Sequence, residues 1–128
     1  MTARLIEGGA YADSRGSLRF CNDFDMSPVK RFYAIANSAS EPVRGWIGHR
    51  QETKWFFPLK GNTTIAVEPM EGGIRAKTTY VLNSSKPAVL EVPPGNWFAI
   101  EQDGSSEVMV FSSCLLGEFK DDDFRRPA

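Results

Sequence analysis

The sequence predicts a single all-β domain, a sandwich or barrel of antiparallel strands. Three observations carry that expectation. Short runs rich in Val, Ile, Phe, Tyr, Trp and Thr recur along the chain, and Gly, Pro, Asn and Ser interrupt them at short intervals. No segment shows a capped apolar stripe of helical period. At 128 residues and 41% hydrophobic content, the chain supports one core and leaves little room for a second. A chain of this size buries roughly two-thirds of the surface its unfolded form exposes, so packing alone suffices to stabilise it.

Taken in order, the expected strands are Leu18–Asn22, Val29–Ala36, Arg44–Arg50, Lys54–Leu59, Thr63–Glu68, Arg75–Leu82, Ala88–Val92, Trp97–Gln102 and Glu107–Ser113. Lys60-Gly61-Asn62, Glu71-Gly72-Gly73 and Asp103-Gly104-Ser105 each read as a tight hairpin turn between apolar runs. Pro93-Pro94-Gly95 forces a sharp, non-helical corner. The acidic run Asp121–Asp123, followed by Arg125 and Arg126, reads as a solvated tail within residues 117–128.

Net charge is −1 and the basic residues are dispersed, which argues against a nucleic-acid surface and for a small ligand. Met1 to Gly16 carries Arg4, Glu7, Asp13 and Arg15, so it lacks the apolar core of a secretory signal. No run approaches the ~20 apolar residues of a membrane span. A cytoplasmic location with no membrane partner is the expectation. Cys21 and Cys114 lie far apart without metal-type spacing, and read as reduced core residues.

His49 is the one histidine, and a tight transition-metal site ordinarily needs several such ligands, so no metal is expected. On a strand, Ile47 and His49 share one face while Arg44, Trp46 and Gly48 share the other. If the His49 face lines the interior, a neutral imidazole there serves as a base; otherwise it is a hydrogen-bonded core or rim residue. In Val29–Ala36, Arg31, Tyr33 and Ile35 point one way. A buried Arg and Tyr need partners, so that face meets a ligand, water or itself. There Arg31 would hold an anion bidentately and Tyr33 would donate a proton to a developing oxyanion; the alternative is an ordinary exposed face. Among the aromatics, Trp46, Trp55, Trp97, Phe56, Phe57 and Phe98 serve core or interface, with one or two free to stack on a planar ring.

Three ordered motifs carry a family resemblance: Asp13-Ser14-Arg15-Gly16-Ser17-Leu18, Val29-Lys30-Arg31-Phe32-Tyr33-Ala34-Ile35, and Arg44-Gly45 through His49. With them, the chain from about Asp13 to Asp123, including the corner Pro94-Gly95-Asn96-Trp97, resembles the sugar 3,4-ketoisomerases, the WxcM-like or FdtA-like cupins related to dTDP-4-dehydrorhamnose 3,5-epimerase. The resemblance implies a double-stranded β-helix (cupin, jelly-roll barrel) and a cofactor-free, metal-independent homodimer, with the N-terminal region 1–23 available for exchange between protomers. It implies a dTDP-linked 4-keto-6-deoxy sugar as substrate, isomerised or epimerised by proton transfer next to the ketone. By position it makes His49 and Tyr33 the catalytic base and acid, and Arg44 and Arg31 substrate ligands; Lys54 and Trp97 are further candidate substrate-binding residues. Lys54, where the ketoisomerases often carry Gln, would supply charge to an enolate or diphosphate, or be a surface cation. The family pattern Arg-Gly-x-His-Ala-His becomes Arg44-Gly45-Trp46-Ile47-Gly48-His49, so Ile47 replaces the first histidine. That replacement keeps open a second reading, a sugar-nucleotide-binding cupin without catalysis.

Overall fold

The computed structural model describes residues 2–71 and 76–127. Twelve strands run through them: β1 (Arg4–Glu7), β2 (Gly9–Asp13), β3 (Gly16–Phe20), β4 (Arg31–Ile35), β5 (Val43–His49), β6 (Lys54–Lys60), β7 (Asn62–Pro69), β8 (Thr78–Asn83), β9 (Ala88–Val92), β10 (Asn96–Glu101), β11 (Glu107–Ser112) and β12 (Phe124–Arg125). Two five-stranded sheets, ordered β1-β9-β6-β11-β4 and β12-β5-β10-β7-β8, face each other, and β2 with β3 forms a separate hairpin. Every pairing is antiparallel. The described residues contain no helix, and so none long and apolar enough to cross a membrane.

Alternation builds the core. In β11 the residues alternate half-buried and buried, so Val108 and Val110 turn inward to meet Phe56 of β6 and Ile35 of β4. Ile47, Ile65, Val67, Phe98 and Ile100 answer them from the second sheet. A smaller apolar cluster of Ile6, Trp55 and Val89 lies on the outer side of the first sheet, where Phe24 and Val29 cover it. Cys114 is buried and Cys21 half-buried, both as free thiols.

The turns at Gly61 and Gly104, expected to close hairpins, do not. β6 and β11 lie in the first sheet, whereas β7 and β10 lie in the second, so both turns carry the chain across the sandwich. Except for the pair β7 and β8, each connection from β4 to β11 changes sheet. This winding is the double-stranded β-helix. A glycine turn encodes a reversal of direction, and the next strand's partner is decided by which face each strand buries. The Glu71-Gly72-Gly73 turn and the expected strand start at Arg75 fall largely outside the described residues. Strands β1 and β2 lie in the N-terminal strand region 1–23, but periodicity delimited neither them nor β12, because their residues are mostly exposed and lack apolar alternation.

Strict alternation also fails inside β5. Register pairs Phe98 with Ile47 but Ala99 with Gly45, so Trp46 is an extra residue that shifts the phase of the strand. Arg44 therefore pairs with Ile100 on the inner side, contrary to the expectation that it faces away from Ile47. Gly45 makes this possible: its φ is +147°, and a Cβ there would lie 2.7 Å from the Ala99 Cα.

Candidate active site

A cavity of about 360 Å³ opens between the sheets at the end of β5 where His49 lies. Its apolar wall comes from Ile35, Ile47, Phe56 and Phe98, and segment 114–119 forms part of its rim. Alternation on β4 turns Arg31, Tyr33 and Ile35 into this space, while Phe32 is 67% exposed outside. On β6 it turns in Lys54 and Phe56.

His49 is 6% exposed, with its ring 5.9 Å from that of Phe98. Its Nδ1–H donates to the backbone carbonyl of Asp122 at 2.7 Å. That bond places the proton on Nδ1 and leaves the Nε2 lone pair of the neutral ring available. Nε2 is buried and has no hydrogen-bond partner. The Asp122 side chain does separate work: its carboxylate accepts the backbone N–H groups of Arg50, Gln51 and Glu52 at 2.7, 3.1 and 3.2 Å. The turn between β5 and β6 is thus tied to the C-terminal segment on which the histidine depends.

The polar wall gathers around Glu52. Its carboxylate lies 2.8 Å from Lys54 Nζ, 3.6 Å from the Arg31 guanidinium and 3.7 Å from His49 Nδ1, and it accepts the Ser112 hydroxyl. Burial alone pushes the Glu52 carboxyl up; hydrogen bonds from Lys54 and Ser112, with the charge of Lys54, outweigh it and hold the group below its ordinary value. Lys54 Nζ also donates to the Tyr33 hydroxyl at 2.7 Å. The Arg31 guanidinium and Lys54 ammonium lie 5.2 and 5.0 Å from the Tyr33 ring centre.

His49, Glu52 and Asp122 offer three ligand atoms within 4.8 Å of one another. They do not suit a cation. Nδ1 carries a proton directed at a carbonyl, the Asp122 oxygens are engaged by backbone N–H groups, and Lys54 already sits against Glu52.

The structure brings His49, Tyr33, Arg31 and Lys54 into one cavity and leaves Arg44 and Trp97 out of it. Lys54 is 4% exposed, which rules out the surface-cation alternative. Arg44 lies at the opposite end of β5, where its Nε donates to Asn37 Oδ1 at 3.2 Å. There Asn37 and Gln102 bond each other and the carbonyls of Ile35, Pro42 and Ile100, closing that end of the sandwich. Trp97, next to Phe98 on β10, turns outward and packs on Gly48, whose added Cβ would meet the Trp97 ring at 2.8 Å.

The supposed tail is solvated only in part: Asp121, Asp123 and Arg125 are exposed, but the segment is docked on the barrel. Asp122 is 5% exposed, and β12 pairs with β5. The Arg126 guanidinium lies 4.6 Å from the Trp46 ring centre and 5.0 Å from that of Trp97, and bonds Glu68 at 2.8 Å. Sequence reasoning missed Glu52, Ser112 and Asp122 as site residues. The available signal for Glu52 was its spacing, three residues after His49 and two before Lys54.

The family model FdtA (WxcM-like, C-terminal) matches residues 1–127. This chain belongs to that family. No curated protein matches the sequence significantly. The FdtA-family chain is similar to a 3,4-ketoisomerase from Helicobacter canadensis, at 18% identity over 98% of this chain and 92% of that one, with a TM-score of 0.77. It is also similar to the sugar 3,4-ketoisomerase QdtA from Thermoanaerobacterium thermosaccharolyticum, solved in complex with TDP: 21% identity, 97% and 88% coverage, TM-score 0.75. The RmlC epimerase of Mycobacterium tuberculosis matches at 17% identity, with 96% and 68% coverage and a TM-score of 0.77. These likenesses establish the jelly-roll cupin fold for this member of the family.

Proposed function

We propose that this protein is a metal-independent isomerase or epimerase that moves a proton next to the ketone of a dTDP-linked 4-keto-6-deoxy sugar. One observation carries the reading: a buried imidazole nitrogen, His49 Nε2, stands in the cavity without a partner while Nδ1–H is held by a carbonyl. That is the arrangement of a general base. His49 Nε2 accepts the proton on the carbon beside the ketone, and the Asp122 carbonyl and Glu52 carboxylate stabilise the imidazolium that forms. Tyr33 accepts a bond from Lys54, which leaves its own O–H to donate to the enolate oxygen or the adjacent carbon. Arg31, at the cavity wall with a buried Nε that has no partner, suits the diphosphate. The TDP-bound ketoisomerases among the structural neighbours support this choice of substrate class. Exposed Tyr11 and Leu18 on the β2–β3 hairpin support self-association as a homodimer, checked by light scattering.

A second reading is favoured by Ile47, which lines the cavity where the family pattern has a histidine: the site binds the sugar nucleotide without turning it over. Proton NMR of dTDP-4-keto-6-deoxyglucose with the protein in deuterated buffer separates the two. Loss of a sugar C–H signal, abolished by His49→Asn, is expected for the enzyme. Absence of exchange, with saturation transfer to the thymine ring, would establish the binding protein instead.

A further inference from the structure

The proton transfers above use His49 and Tyr33 and give Glu52 only a minor part, although Glu52 organises the polar wall. Its carboxylate is buried and holds four groups at once: the Lys54 ammonium, the Ser112 hydroxyl, the Arg31 guanidinium and the His49 ring. Lys54 is 4% exposed, so its ammonium lies wholly within this wall. A buried ammonium needs a counter-charge, and Glu52 at 2.8 Å supplies it. With that partner fixed, Lys54 directs another N–H to the Tyr33 oxygen at 2.7 Å. The phenol oxygen, already accepting, is left to donate its own proton to a third group.

We propose that Glu52 is the positioning residue of this site, anchoring Lys54 so that the Tyr33 hydroxyl is set as a hydrogen-bond donor to whatever occupies the cavity. This rests on the reading of Tyr33 as the acid. Glu52 also restrains two of the cations that line the cavity, Lys54 and Arg31. Without its charge, both are released to an anionic ligand. Loss of Glu52 therefore has opposite effects on binding and on turnover: the diphosphate is held as well or better, while the acid loses its aim. A residue that merely stabilised the fold would weaken both.

The test compares the parent with Glu52→Gln, which keeps the shape and an acceptor for Ser112, and Glu52→Asp, which keeps the charge. Turnover is followed by C–H exchange of the 4-keto sugar nucleotide, and affinity by calorimetry with TDP. A third readout needs no turnover: the fluorine NMR signal of Tyr33 in protein labelled with 3-fluorotyrosine, assigned with Tyr33→Phe. For Glu52→Gln we expect kcat to fall at least tenfold, TDP affinity to be unchanged or up to tenfold tighter, and the Tyr33 signal to shift or broaden. Glu52→Asp returns part of the kcat and moves the signal back towards the parent's. An unmoved Tyr33 signal with parental kcat overturns the proposal, as does TDP affinity that falls in step with kcat. If the parent itself exchanges no proton, the catalytic reading fails, and the Tyr33 signal still decides whether Glu52 positions the hydroxyl. Should Glu52→Gln not fold, Glu52→Asp carries the test through a displaced Tyr33 signal and reduced kcat; parental values for both overturn the proposal.

Discussion

Asp122→Ala removes one carboxylate and with it the acceptor for three backbone N–H groups. The three bonds are unequal. Arg50 and Gln51 are exposed residues, so their N–H groups regain water and the net loss at each is about 0.5–1 kcal/mol. The Glu52 N–H lies in a buried bond and stays unpaired, at a cost of about 2 kcal/mol. Together these give a destabilisation of about 3–4 kcal/mol. For a chain of this length each kcal/mol lowers the melting temperature by about 4 °C, so the midpoint falls by about 12–16 °C. Urea unfolding followed by circular dichroism measures the free energy, and a thermal scan the midpoint. Asp123→Ala is the matched control: Asp123 is 61% exposed and pairs with an exposed Arg125, so it should change stability by less than about 0.5 kcal/mol. A change below about 1 kcal/mol for Asp122→Ala would refute the idea that its carboxylate organises the turn between β5 and β6.

Three further outcomes follow from the same geometry. Gly45→Ala forces a Cβ to within 2.7 Å of the Ala99 backbone at a φ of +147°, and should cost about 3 kcal/mol or abolish folding, read from soluble yield and urea midpoint. Arg126→Ala removes a guanidinium lying against two tryptophan rings; we expect a loss of about 2 kcal/mol and a change in tryptophan fluorescence, and unchanged emission would contradict that packing. The lowered Glu52 carboxyl binds its proton more readily in the unfolded chain, so its stabilisation is present above the ordinary carboxyl value of 4.5 and fades as pH falls through the lower folded value. Stability measured from pH 6 downward should therefore fall less steeply in Glu52→Gln than in the parent, and parallel curves would count against the charged pair.

Much of the fold was legible because it rests on local periodicity. Seven of the expected strands overlap their observed spans at nearly every residue, as with Ala88–Val92 and Lys54–Lys60, since apolar alternation records which side of a sheet is buried. The inward set Arg31, Tyr33 and Ile35 was readable for the same reason. Arg44 was misplaced because one extra residue at Trp46 reverses parity, and no composition signal marks a bulge. Lys54 and Glu52 look like surface charges individually; only their mutual contact makes burial tolerable, and that contact is tertiary. Asp122 was hidden in an acidic run whose neighbours are exposed, so nothing local distinguished it. Tyr33 and His49 are 16 positions apart and line one cavity only because consecutive strands enter opposite sheets.

The acceptor that orients His49 is a main-chain oxygen, and every amino acid supplies one. Chemical identity at position 122 is therefore silent about the histidine's tautomer. Side-chain replacement there reports on the loop it ties down, whereas the tautomer answers to the path of the backbone. A probe of the imidazole's set must redirect that path, by a proline or a deletion between residues 119 and 124, and a scan of side chains alone would pass over the contact that orients the His49 ring.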